Sequence, residues 1–139
     1  MSDYPARAVD HHTLTGVFML SGGGHSTTYI DLRAALLCRF CSRGLTHWYA
    51  EQIAHYVPVA TGSFGALLLG CLADRGIFGV LWNPKGHGIE WSGYLPNLRV
   101  VLVDDVATTG STLSALRAAV ESAGGVVVGE VVSVDRRAI

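Results

Sequence analysis

Charge is scarce in this sequence. Only 15% of its 139 residues are Asp, Glu, Lys or Arg, and they nearly cancel to a formal −1. Such a balance provides no basic field for nucleic acid and no acidic tail. Cysteine is sparse too: three, an odd number, do not make the framework of a disulfide-stapled domain. Cys38 and Cys41 form a CxxC, but it falls within "DLRAALLCRFCSRGL", which reads as helix interior. No second pair exists for a structural zinc, and a redox CxxC belongs at a helix start after a strand. The thiols are expected as small buried or half-buried side chains. Long apolar runs are absent as well. The best candidate, "FGALLLGCLADRGIFGVLW", is broken by Asp74, Arg75 and several glycines, which argues against a membrane span. The opening "MSDYPARAVDHH" has no apolar signal core, so a cytoplasmic protein without a membrane partner is expected.

Half of the residues are apolar. With so few charges to cover them, an apolar subunit interface and hence a homo-oligomer are expected. The length suits one domain, residues 1–139, with no linker or repeat to divide it. "TLTGVFML" reads as a short extended or helical lead-in, and "TTYIDLR" as a strand. Residues 34–56 read as helix, with Gly44 a plausible break. "VPVA" is a buried strand, followed by the turn "TGS" and the helix "FGALLLGCLADRG". "IFGVLW" is another strand, and "NPKGHGIEWSGYLPN" a mobile loop or loose hairpin. "RVVLVD" is a strand, "STLSALRAAVESAGG" a helix and "VVVGEVVSVD" a final strand. Apolar strands alternating with helices predict an α/β fold, a mostly parallel sheet covered on both faces. Ligands of such folds bind outside the carboxyl ends of the strands, so "TGS", "NPKGHG" and "DDVATTGS" should share one rim.

The stretch "RVVLVDDVATTGSTLSAL", residues 99–116, carries the most chemistry. Its loop feeds a helix N-terminus, where free N–H groups and the helix dipole favour an anion, and Gly110 permits close backbone approach. Thr108, Thr109, Ser111 and Thr112 add hydroxyls, so a phosphate monoester suits the cradle. Asp104 and Asp105 would repel that phosphate and must serve another part of the ligand. Carboxylates accept hydrogen bonds from hydroxyls and bind Mg²⁺. A ligand with a phosphate at one end and a vicinal diol nearby, such as ribose 5-phosphate, satisfies both halves. A solvated turn and ordinary helix capping account for the parts singly, but not for the whole string.

"VVLVDDVATTGST" resembles the phosphoribosyl-diphosphate (PRPP) signature of the type I phosphoribosyltransferases. The resemblance implies that Asp104 and Asp105 hold the ribose hydroxyls and Mg²⁺, directly or through water. It implies too that Ala107, Thr108, Thr109, Gly110, Ser111 and Thr112 wrap the 5′-phosphate. Three further segments resemble the orotate phosphoribosyltransferases: "FMLSGGGHSTTYIDLR" (18–33), "KGHG" (85–88) and "VVSVDR" (131–136). By that likeness Thr61, Gly62 and Ser63 meet the diphosphate together with Lys85. Lys85, His87 and Asp105 form the catalytic set, and Arg136 pairs with the orotate carboxylate. The implied reaction is Mg²⁺-dependent transfer of phosphoribosyl from PRPP to orotate by a homodimer, whose mobile loop reaches the neighbouring site. The implied fold is that of the type I family with a reduced hood, since the chain stops almost at Arg136.

The chain also departs from the pattern. Leu81 and Trp82 occupy the positions of an arginine–lysine pair, Ser21 that of a lysine, and "ATGSFG" has no lysine. His25, Arg33 and Arg39 are the candidates to compensate. "SGGGHST" lacks the lysine of a P-loop, and Met19 stands where its first glycine is needed. The competing classes are a non-catalytic PRPP- or nucleotide-binding protein of this fold, favoured by Leu81, Trp82 and Ser21, and a transferase for another base.

Overall fold

Successive side chains of a strand face opposite ways, so a strand buried throughout must be covered on both sides. Val100, Val101, Leu102 and Val103 are all buried. Val101 and Val103 pack into one apolar cluster, Val100 and Leu102 into another. The computed structural model that carries this arrangement describes residues 6, 8–9, 13–19, 25–85 and 88–137, with 13–19 and 25–29 as backbone only.

The strands, in chain order, are β1 (Thr13–Met19), β2 (His25–Ile30), β3 (Val57–Thr61), β4 (Val80–Trp82), β5 (Trp91–Ser92), β6 (Arg99–Ala107) and β7 (Val126–Asp135). The helices are α1 (Leu32–Leu37), α2 (Ser42–Ile53), α3 (Gly62–Ala73) and α4 (Ser111–Ser122). β1 and β2 form an antiparallel pair of their own. The other five strands form one sheet in the order β5-β4-β3-β6-β7, parallel except for the edge strand β5. Leu32, Leu45, Tyr49, Ile53, Leu68 and Leu72, from α1 to α3, lie in the cluster with Val101 and Val103. Leu113, Leu116 and Val120 of α4 lie in the other. The expected mostly parallel sheet with helices on both faces is present.

Four expectations need correction. The helical stretch 34–56 does not break at Gly44, which is buried inside α2. It breaks at Cys38, where ψ turns to 127° and α1 ends. The CxxC is therefore a turn between two helices rather than helix interior, with Cys41 at the N-cap of α2. Strand β4 is shorter than "IFGVLW", because its ladder with β3 begins at Val59↔Val80, one residue beyond Pro58, which has no N–H to donate. Finally, β6 does not stop at Asp104. It continues to Ala107, paired with β7 as far as Ala107↔Asp135, so both acids are strand residues. The "YIDLR" segment divides between β2 and α1, whose first turn is capped by Asp31 accepting from the Ala34 N–H at 3.2 Å. The "SGGG" of residues 21–24 lies outside the described residues.

Leu116 is fully buried between α4 and the sheet. Leu116→Ala should lower stability by about 2–5 kcal/mol, read by urea unfolding as a lower midpoint at unchanged slope.

Candidate active site

The parallel strands β3, β4 and β6 end on one rim, with Thr61 opposite Trp82 in the ladder and β6 running on to Ala107. Three segments meet there.

The first is the end of β6 and the turn into α4. Asp104 Oδ1 accepts from the Asp105 N–H at 2.9 Å, and Asp105 Oδ1 from the Val106 N–H at 2.7 Å. Each carboxylate is thus fixed by the backbone of the next residue. Burial, reinforced by the Asp105 carboxylate next to it, raises the Asp104 carboxyl to about 7. Residues 106–113 and Asp104 line a small concavity. Gly110 sits at the N-cap of α4 with φ +84°, the left-handed region, and no side chain caps this helix. Thr109 Oγ1 accepts from the Ser111 N–H and donates to Ser111 Oγ. Ala107, Thr108, Thr109, Gly110, Ser111 and Thr112 are therefore gathered as expected, around a helix start suited to an anion.

Two residues overlooked in the sequence hold this end in place. Tyr49 is fully buried, and its hydroxyl donates to the Asp104 carbonyl at 2.7 Å. A phenol has one proton, so the contact with Ser133 Oγ is one that Tyr49 accepts. Burial keeps the phenol far above its ordinary range and neutral. The apolar spacing Leu45–Tyr49–Ile53 marks Tyr49 as buried, and a buried tyrosine needs a partner for its hydroxyl. The second is Arg137, which bonds Asp135 through Nε and Nη2 and Glu130 through Nη1. The paired guanidinium holds the Asp135 carboxyl down to about 2. Its Cδ lies 3.0 Å from where a Cβ on Gly110 would stand, so a side chain there would have to displace the Arg137 stem in addition to straining φ. Arg136, its neighbour, donates its N–H to the Ala107 carbonyl at 2.8 Å. Its exposed side chain makes no ion pair among the described residues.

The second segment is the turn from β3 into α3. Thr61 Oγ1 donates to the Trp82 carbonyl at 2.8 Å, and Gly62 adopts φ +76°. Ser63 is exposed, and its Oγ accepts from Arg33 Nη1 at 3.2 Å.

The third is the hairpin joining β4 and β5. Trp82 stacks on Trp91 at 6.2 Å, and its indole N–H donates to Glu90. Leu81 and Trp82 are half-buried strand residues at the neck of this hairpin. Lys85 is exposed on the turn beyond, with no ion pair among the described residues. His87 and Ser21 lie outside the described residues, and of His25 only the backbone is described.

No protein-family model matches the chain. It is 37% identical over 131 residues to the orotate phosphoribosyltransferase of Pyrobaculum islandicum, which covers 87% of this chain and 67% of that one. The crystal structure of orotate phosphoribosyltransferase from Aeropyrum pernix matches with a TM-score of 0.71 at 32% identity, over 91% of this chain and 77% of that chain. The Mycobacterium tuberculosis orotate phosphoribosyltransferase in complex with PRPP matches at 0.65 and 26% identity, over 77% and 68%. The fold is that of the type I phosphoribosyltransferases.

Asp104 offers a test of the site's electrostatics. A carboxyl at about 7 when folded and about 3.9 when unfolded keeps its proton longer in the folded state. Its contribution is complete at pH below about 4 and is lost as pH rises through about 7. Urea unfolding between pH 4.5 and 8 should show Asp104→Asn gaining stability relative to the parent as pH rises. A pH-independent difference would show an ordinary ionised aspartate.

Proposed function

The chain belongs to the orotate phosphoribosyltransferase family, and from that membership we propose how its residues move the phosphoribosyl group of PRPP to orotate. The products are orotidine 5′-phosphate and diphosphate. The observation that carries the assignment of residues is the juxtaposition, at the end of β6, of two backbone-fixed carboxylates and an uncapped helix start behind Gly110.

Breaking the anomeric bond builds positive charge on the ribose and negative charge on the departing diphosphate, so the site needs donors and cations around the diphosphate. Asp104 and Asp105 accept hydrogen bonds from the two ribose hydroxyls and so fix the sugar. Residues Ala107 to Thr112 enclose the 5′-phosphate with amides and hydroxyls. Thr61, Gly62 and Ser63 turn N–H groups toward the diphosphate. Lys85 and His87, on the hairpin loop, close over the leaving group and keep water out. Arg136, without an ionic partner among the described residues, pairs with the carboxylate of orotate. We read residues 1–139 as one such domain, and place the activity in the cytoplasm as part of the same proposal.

Magnesium fits this donor set as a companion of the substrate. Asp104 and Asp105 are two adjacent carboxylates, and no group of three or more His, Cys, Asp or Glu gathers among the described residues. Mg²⁺ ordinarily binds through one or two carboxylates, substrate phosphates and retained waters. When bound, it offsets the charge of the departing diphosphate.

A homodimer is also proposed. Leu37, Phe40, Phe78, Ile89 and Tyr94 are large apolar side chains left exposed, and such surface supports an interface. Light scattering at micromolar concentration should give twice the chain mass, and a monomer would count against the interface.

Loss of orotate absorbance in the presence of PRPP and Mg²⁺ tests the activity. The parent should turn over. Asp105→Asn and Lys85→Ala should each lose roughly ten- to a hundredfold in kcat/KM, the weight of a charged hydrogen bond. PRPP binding by calorimetry without turnover at high enzyme would instead identify a ligand-binding protein, the reading favoured by Leu81 and Trp82.

A further inference from the structure

The diphosphate needs cations, and this chain has few to give it. Lys85 is the only lysine in the sequence. Several of the arginines are engaged or distant from the diphosphate turn. Arg75 bonds His47, Arg117 pairs with Glu121 and Glu130, and Arg137 pairs with Glu130 and Asp135. Arg99 starts β6 and lies over Tyr56, at the opposite end of that strand from the acids.

Arg33 differs. Asp31, which caps α1, also holds Arg33 Nε at 3.6 Å, and Nη1 then reaches Ser63 Oγ at 3.2 Å. A carboxylate thus aims the guanidinium at the diphosphate turn, while Nη2 makes no hydrogen bond among the described residues. The side chain is 48% exposed, so a ligand can reach it. Asp31 balances the guanidinium only on its Nε side. The Nη end faces the N-terminus of α3, the positive end of that helix's dipole, so an anion bound there would be attracted by both.

Building on the transferase reading above, we infer that Arg33 binds the diphosphate of PRPP through its Nη donors, taking the place of the cations missing at Leu81, Trp82 and in "ATGSFG". The planar fork suits two oxygens of a diphosphate. A fixed arginine on the body of the protein also binds the leaving group before any loop closes.

Titration calorimetry of inorganic diphosphate with Mg²⁺ tests this without turnover. Arg33→Gln should weaken binding roughly ten- to a hundredfold, and Arg33→Lys should recover part of the loss. Arg39→Gln, which removes an equal charge from the turn after α1, should leave it unchanged. In steady-state assays Arg33→Gln should raise the KM for PRPP while the KM for orotate stays put, a split that general loosening of the fold would not give. Parent-like diphosphate affinity in Arg33→Gln overturns the inference, as does equal weakening by Arg39→Gln, or a parent that binds no diphosphate. Diphosphate binding that depends on Arg33 in a protein unable to consume orotate would uphold it while refuting the transferase reading.

Discussion

The ladder between β6 and β7 governs this molecule. Had β6 ended where its apolar residues end, Asp104 and Asp105 would hang in a loop, free to turn toward water. Instead the pairing runs on to Ala107↔Asp135, and the acids inherit the rigidity of a sheet. Rigidity has an electrostatic consequence: Asp104 cannot escape its buried, like-charged surroundings, and its carboxyl is lifted toward neutrality. Tyr49 bonds to both strands, to the Asp104 carbonyl and the Ser133 hydroxyl. The core and the chemistry therefore share one element. The same tyrosine packs edge-on against Trp48 and lies beside Phe64 of α3.

Much of the fold was legible because α/β alternation writes itself in long apolar runs and glycine stops. The turn from β6 into α4 was legible because helix N-terminal chemistry is local: a glycine, hydroxyls and a following helix suffice. What escaped was decided by tertiary contact. Nothing in "LLCRFC" signals a turn, as it has neither glycine nor proline. The chain bends there, and both Leu32–Ala35–Leu36 and Leu45–Tyr49–Ile53 come to face one core. Aspartate is a poor strand former, so local propensity ended β6 early, and only the partner strand extends it.

The cationic residues divide along the same line. Leu81 and Trp82, which stand where charges were expected, belong to a strand as the sequence suggested, and there the Trp82 carbonyl receives Thr61 while the indole stacks on Trp91. Arg33 could be named as a candidate from sequence but not chosen. Its contact with Ser63 spans thirty residues of chain and depends on how α1 sits against α3.

The zipped neck of the β4–β5 hairpin sets a leash. Lys85 stands three residues beyond Trp82, so its Cα can travel at most about 10–11 Å from the last strand residue. Whatever oxygen it serves, in its own subunit or across a two-fold axis, must lie within that tether plus one side chain. In any two-fold assembly that shared its loops, the tether would limit how far apart the two crevices could lie.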